Sequence, residues 1–112
     1  MSICFTGDHQ VQIRAGDESE VLNYSEMGFE DHGGKRKTKP DQNWDVLRRF
    51  AKFNGQIRTT ENAKEWGLVE KAVQTINKRL RRLFQLQANP IHYDRTAKCY
   101  KVAFKIEFRD SD

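Results

Sequence analysis

The stretch WGLVEKAVQTINKRLRRLFQL, residues 66–86, decides the fold prediction. At about 100° per residue, its larger apolar side chains recur on one arc of a helical wheel, as in a helix that packs on a core. The rest of the wheel is polar and rich in lysine and arginine. We therefore predict a basic amphipathic helix from about Leu68 to Leu86, with Gly67 ending the element before it.

Two further helices are predicted upstream of this one. The first is capped by Asp41 or Asn43 and ends at the Asn-Gly pair at 54–55, because glycine can take the left-handed conformation that follows a helix. One half of its helical wheel is apolar, which predicts a core element. The second is short and is capped by Thr59 or Thr60.

Strand patterns flank the helices on both sides. Apolar residues alternate with polar ones over residues 3–24 and are separated by Gly/Asp turns, which predicts a small antiparallel sheet. Residues 30–39 are polar and predict a surface loop, whereas residues 90–108 predict a β-hairpin. With the helical core at 41–86, the 112 residues are expected to form a single domain.

This order of elements is that of an α+β winged helix-turn-helix, with three helices, an N-terminal antiparallel sheet and a C-terminal β-hairpin wing. A helix can enter the major groove of DNA with its polar side chains outward while its apolar arc packs on the domain. Besides its bases, the outward arc of the third helix holds Gln74, Thr75 and Asn77, whose side chains can bond base edges. Three cations of the hairpin could reach phosphates or an adjacent groove: Arg95, Lys98 and Lys101.

The charge distribution along the chain also favours a nucleic-acid partner. The formal net charge is only +4, but residues 1–34 carry one base against seven acids and residues 35–112 carry 19 bases against nine acids. A basic segment of this kind favours an anionic partner, with nucleic acid first. A solvated basic surface without a partner is the alternative, and charge by itself leaves both open.

Other functional classes find no support in the sequence. It contains no Gly-rich phosphate loop, nucleophile motif or His/Cys/Asp cluster, so we predict no enzyme, no cofactor and no metal site. Cys4 and Cys99 match no metal-ligand spacing and are expected to be free thiols in a reducing cytoplasm. No apolar run approaches the roughly 20 residues of a membrane helix, and no signal-peptide pattern opens the chain.

Several short motifs resemble the DNA-binding domain of the OmpR-type response regulators. They are the Trp-Gly pair at 66–67, Val73, Ile76 and the RLRR run at 79–82. The CYKV segment at 99–102 is similar to the strand that ends the wing of that family. The family also begins with a small antiparallel sheet, as residues 3–24 suggest here.

The resemblance implies base and phosphate contacts from the outward arc of the third helix. The residues that it indicates there are Lys71, Gln74, Thr75, Lys78, Arg81 and Arg82. Arg79 matches the arginine run of the family but lies at the edge of the apolar arc beside Ala72, where an intramolecular pair is the alternative. Arg95 and Lys98 complete the predicted DNA-binding set from the wing.

The sequence also departs from the family pattern. Cys99 stands where the family usually has glycine, and alignment of the arginine run places Asn77, not Ile76, at the isoleucine of the family. No receiver domain is present, so the chain is either an excised domain or a stand-alone relative. Another protein or a missing regulatory domain is therefore a further expected partner.

The predicted function is sequence-specific binding of double-stranded DNA in transcription regulation, in the cytoplasm and without a membrane. The alternative is a protein-interaction domain that recruits a partner through the acidic front or the 30–39 loop. RNA or single-stranded DNA binding usually needs exposed aromatic side chains for stacking, and the aromatic residues here fall mostly on core arcs.

Overall fold

The structure is a computed structural model that describes residues 1–31, 39–59 and 64–109. Within these ranges it contains two α-helices and nine β-strands in three sheets, an α+β fold. The helices are α1 (Gln42–Lys52) and α2 (Trp66–Phe84). The strands are β1 (Ser2–Phe5), β2 (Gln10–Ala15), β3 (Glu18–Asn23), β4 (Glu30–Asp31), β5 (Lys39–Pro40), β6 (Gln56–Arg58), β7 (Ile91–Asp94), β8 (Cys99–Val102) and β9 (Lys105–Phe108).

The largest sheet has four strands in the order β3-β2-β1-β9. Its first three strands form an antiparallel meander, and β9 joins the outer edge of β1 in parallel. Alternate residues of each strand point to one face, so Ile3, Phe5, Val11, Ile13 and Ile106 are all buried. This face forms one wall of the core.

Helix α1 packs its apolar face against that wall. Its N-cap is Asp41, whose Oδ1 accepts a 3.0 Å hydrogen bond from the backbone N–H of Trp44, so the predicted cap at Asp41 is confirmed. Trp44 is fully buried, and its ring contacts Phe5, Tyr24 and Phe29. The helix is thereby tied to the sheet and to the turn that follows β3.

Helix α2 packs against α1 with its own apolar face. Five apolar residues of this face are buried: Val69, Ala72, Val73, Ile76 and Leu80. The helix ends at Gln85, which takes the left-handed conformation (φ 54°) and donates its backbone N–H to the Arg81 carbonyl. Because this side of the helix is held in the core, the opposite side is presented at a fixed angle to solvent.

The third sheet lies beside α2 and has the strand order β6-β8-β7, with both pairs antiparallel. Strands β7 and β8 are joined by a tight turn at residues 95–98, in which Lys98 has a φ of 54°. The ring of Trp66 stacks on Tyr100 with centroids 5.2 Å apart and meets Tyr93 edge-on at 6.1 Å. The hairpin is thus anchored at the start of α2.

The predicted architecture of three helices with an N-terminal sheet and a C-terminal wing is wrong. The described residues contain two α-helices, and α2 begins at Trp66, so Gly67 lies in its first turn instead of ending a separate helix. The hydroxyl of Thr59, one of the two predicted caps of the short helix, donates to the Lys98 carbonyl at 2.8 Å. Residues 60–63 of that predicted helix lie outside the described residues, and residues 64–65 form a 3₁₀ turn that leads into α2.

The C-terminal run also divides differently from the predicted hairpin at 90–108. Residues 91–102 form the β7–β8 hairpin, but the chain then bends at 103–104 and β9 crosses to the four-stranded sheet. The reason is burial: Ile106 pairs beside Ile3, and the Phe108 ring stacks on Phe5 at 5.9 Å. At the predicted 30–39 loop, β4 and β5 pair with each other, and residues 32–38 lie outside the described residues.

Candidate nucleic-acid interface

The solvent side of α2 carries a continuous row of long polar side chains. We call Lys71, Gln74, Thr75, Lys78 and Arg82 the basic stripe, because helical spacings of three and four residues place them on one face. All are exposed except Thr75, which is half-buried. With a rise of about 1.5 Å per residue, the stripe runs for roughly 16 Å, and exposed Arg81 flanks it.

The cations of this face have no acidic partner within the described part of the chain. Several cations elsewhere are paired: Arg48 with Asp8 at 2.7 Å, Arg49 with Glu65 at 2.9 Å, Arg79 with Asp41 at 2.7 Å and Lys101 with Asp94 at 2.9 Å. Lys71, Lys78, Arg81 and Arg82 form no such pair with a described residue. Within the part of the chain that the structure describes, their charge is thus available to an anion from solution.

Two shallow clefts adjoin the stripe. Thr75, Lys78, Arg79 and Arg82 line one of about 320 Å³. A second, of about 440 Å³, lies between α2 and the start of α1. Its lining residues are Gln42, Asn43, Gly67, Leu68, Lys71, Ala72 and Thr75. The basic face is therefore grooved, with amide, hydroxyl and ammonium groups close together.

Arg79 lies beside the stripe but is directed toward α1. Its Nη1 donates to Asp41 Oδ2 at 2.7 Å, and its guanidinium lies 4.9 Å from the centre of the Phe29 ring. The intramolecular pair considered from the sequence is therefore present. Because Asp41 also caps α1, Arg79 ties the two helices together and has little freedom to bind an external group.

Asn77 is not on the outward face, and its predicted place there is wrong. It is 6% exposed, and its side-chain amide bonds the backbone of Ile91 in both directions. The sequence contained a signal for this position, since Val73 lies four residues before it and Leu80 three residues after it. Both of those neighbours are buried, so the apolar arc of the wheel extends to include Asn77.

The turn of the β7–β8 hairpin presents two of the predicted contacts. Arg95 and Lys98 are exposed, and neither forms an ion pair with a residue that the structure describes. Lys101, by contrast, is neutralised by Asp94. Asp94 Oδ1 also accepts hydrogen bonds from the backbone N–H groups of Thr96 and Ala97, which holds the turn in shape.

Three pKa shifts in the hairpin follow from these contacts. The hydrogen bond from Lys101, together with those of the turn, lowers the pKa of Asp94 below its ordinary value of 3.8. The same bond raises the pKa of Lys101 above 10.5. Burial against Trp66 and the charge of nearby Glu70 raise the pKa of Tyr100 above 10.0.

Replacement of Lys101 by methionine is expected to raise the pKa of Asp94 toward 3.8. Because the folded-state pKa of Asp94 is the lower one, its stabilising contribution is complete above the unfolded-state pKa and disappears as the pH falls through the folded value. The variant should therefore lose less stability than the wild type between about pH 5 and pH 2. Carboxyl-carbon NMR titration and urea unfolding across this range test the prediction, which identical curves for the two proteins would contradict.

Metal and membrane sites are not found in the described residues. No group of three or more His, Cys, Asp or Glu side chains lies close enough together there to hold a metal ion. Neither of the two helices just described is long and apolar enough to span a bilayer. The Cα radius of gyration, 13.9 Å, is that of a compact chain.

Comparison with known proteins identifies no relative. No family model matches the chain, and no curated protein or solved structure is significantly similar to it. The resemblance to OmpR-type domains therefore stays a prediction from the short motifs at 66–82 and 99–102.

Proposed function

We propose that this protein binds double-stranded DNA through the basic stripe of α2 and acts in transcription regulation. The observation that carries the proposal is the row of cations, without an acidic partner among the described residues, on the solvent side of a helix whose other side is fixed in the core. Surface cations on a monomer are often paired with neighbouring acids, as Arg48, Arg49 and Arg79 are here. A face left unpaired along three helical turns favours an anionic polymer as its partner.

The composition of the stripe supports base reading as well as phosphate binding. The major groove of B-DNA is about 12 Å wide and admits an α-helix. In that position Lys71, Lys78 and Arg82 would contact phosphates or guanine, since cations bind both. Gln74 lies between them, and its amide is able to make the paired donor and acceptor bonds that adenine offers in this groove.

The hairpin turn supplies a second set of contacts in the proposal. Arg95 and Lys98 would bind phosphates beside the groove that α2 enters. Arg79 is left out because its guanidinium is engaged by Asp41 and Phe29. A non-enzymatic role, a cytoplasmic location and control by another protein or a regulatory domain belong to the same proposal.

The test is a binding titration of the whole chain with a fluorescent pool of random duplexes at several salt concentrations. If about five phosphates are neutralised, log affinity should fall with log salt at a slope of roughly −4 to −5. Sequence selection from the bound fraction should then enrich a common site. Binding that does not depend on salt, or that is equal for single strands, would contradict the proposal.

A second candidate function is protein binding through the acidic side of the molecule. Glu18 and Glu20 of β3 pair with Ala15 and Ile13 of the neighbouring strand β2. These four residues, with Ser19 and Phe84, line a groove of about 520 Å³. Charge complementarity favours a basic, partly apolar segment of another protein there. This function predicts a partner recovered by affinity capture that is lost in E18K/E20K, and no salt-sensitive duplex binding.

A further inference from the structure

The amide of Asn77 lies at the junction between α2 and the β7–β8 hairpin. Its Nδ2 donates to the Ile91 carbonyl at 3.1 Å, and its Oδ1 accepts from the Ile91 N–H at 2.9 Å. Among the described residues it is the one buried polar side chain, and both halves of its amide are satisfied by a single backbone residue. A carboxamide bonded in this way replaces a neighbouring β-strand at that position.

The position of Ile91 explains why such a partner is needed. Strand β7 is at the edge of its sheet, in the order β6-β8-β7, so one side of its backbone has no strand to pair with. Ile91 is 3% exposed, and its N–H and carbonyl would be costly to bury without partners. Asn77 therefore joins the edge of the hairpin to the middle of α2.

We call the contact between Asn77 and Ile91 the joint. A second contact, made by Trp66, helps to set the orientation of the hairpin relative to α2. Trp66, at the start of α2, contacts Tyr93 near the other end of β7 and stacks on Tyr100. Trp66 and Asn77 are eleven positions apart in α2. At a rise of about 1.5 Å per residue, they are separated by roughly 16 Å along the helix axis. Strand β6, which follows α1, pairs with β8 and holds the other side of the hairpin. The two contacts with α2, this far apart, set the angle of the hairpin to that helix.

We infer that Asn77 is a positioning residue that holds the hairpin turn in register with the basic stripe, so that both bind one duplex. The inference rests on the proposed DNA-binding function. It assigns Asn77 no contact with DNA, because its side chain is buried and both polar groups are used internally. Its effect on binding passes through the placement of Arg95 and Lys98.

The variant N77D is the sharpest test, because its effect can be reversed by pH. An ionised carboxylate keeps an acceptor for the Ile91 N–H but places a second acceptor against the Ile91 carbonyl. A protonated carboxyl has one donor and one acceptor, so it restores both bonds. Burial raises the pKa of a carboxyl, so a carboxyl-carbon NMR titration of N77D first locates the pKa of the introduced group. The joint should be broken at about pH 7.5 and restored at about pH 5.5, with both values moved where the titration requires it so that the group is ionised at the first and protonated at the second.

The first measurement needs no DNA. Residual dipolar couplings of backbone amides report the orientation of β7 and β8 relative to α2 in the intact chain. We expect one common alignment frame in the wild type at both pH values, and in N77D at pH 5.5 only. A single unchanged frame in N77D at pH 7.5 would overturn the inference and leave the proposed function standing. The wild type at both pH values is the control for pH effects that do not involve position 77.

The second measurement is a double-mutant cycle on duplex affinity. R95A/K98A should weaken binding roughly tenfold in the wild-type background, but less than about twofold in N77D at pH 7.5. At pH 5.5 the roughly tenfold effect should return in N77D. A purely stabilising role of Asn77 predicts the same hairpin effect in every background, and that result would overturn the inference.

Two further outcomes are informative. If N77D does not fold at pH 7.5, N77S, which keeps one hydroxyl near Ile91, is measured instead. An intermediate loss of the hairpin effect then supports the inference, and an undiminished effect overturns it. If the wild type shows no salt-sensitive duplex binding, the proposed function fails, and the inference fails with it whatever the dipolar couplings show.

Discussion

K78A/R82A is expected to lower duplex affinity on the order of 100-fold near 0.1 M salt and to make the salt slope shallower by about 2. Both side chains are exposed on α2, lack a partner among the described residues and line the same cleft. Each phosphate contact that is lost leaves one set of counterions in place on the DNA, which is why the slope changes with the affinity. Fluorescence anisotropy at several salt concentrations measures both quantities.

The control is R14A/K105A, which removes the same charge from the four-stranded sheet instead of from α2; Lys105 lies 3.9 Å from the Glu107 carboxylate. Arg14 and Lys105 are exposed and both pair with Ser2, so they lie in one row across the four-stranded sheet. This variant should change affinity no more than about threefold, through the long-range field alone. Equal losses in the two double variants would show that net charge, and not the stripe, determines binding.

W44A is expected to cost about 3–5 kcal/mol of unfolding free energy, a large part of the roughly 5–15 kcal/mol of a typical domain. The Trp44 side chain is fully buried among Phe5, Tyr24 and Phe29, and its Nε1 donates to the Asp8 carbonyl at 2.9 Å. Alanine would leave a cavity between helix and sheet and an unpaired carbonyl. Urea unfolding followed by far-ultraviolet circular dichroism measures the loss.

Two companion variants separate the contributions. W44F keeps an aromatic ring in the core but loses the bond to Asp8, so it should cost about 1–3 kcal/mol. Phe53 lies one residue beyond α1 and is 50% exposed. The variant F53A should therefore change the free energy of unfolding by no more than about 0.5 kcal/mol. A loss below about 1 kcal/mol in W44A would show that the core is not organised around this residue.

The two α-helices could be predicted from the sequence because the apolar residues of each recur with the 3.6-residue period of an amphipathic helix. The buried face of α1, the cap at Asp41 and the apolar face of α2 are local features, set by residues a few positions apart. The basic stripe followed from the same wheel. For these parts the sequence predicts the structure because no distant partner has to be known.

Most of the features that sequence reasoning missed depend on a distant partner. The period-two pattern of 102–108 indicates strand, but it does not say that the chain bends and that β9 pairs with β1. Arg79 pairs with Asp41, 38 positions away in the sequence. The sequence could therefore indicate an intramolecular pair of Arg79 as an alternative, but it could not identify the partner. Asn77 was misplaced because a polar residue is assigned to solvent by default, whereas here it satisfies a strand edge.

The parallel pairing of β1 with β9 has a consequence for the order of folding. Ser2 pairs with Lys105, so the loop that this contact closes contains both helices and the hairpin. Closing a loop of that length is entropically costly unless the intervening elements have already shortened the path between its ends. During synthesis the outer edge of β1 therefore stays unpaired until β9 leaves the ribosome. Until then its backbone groups can pair with strands of other chains. Among the described strands, the first sheet is thus completed only by β9.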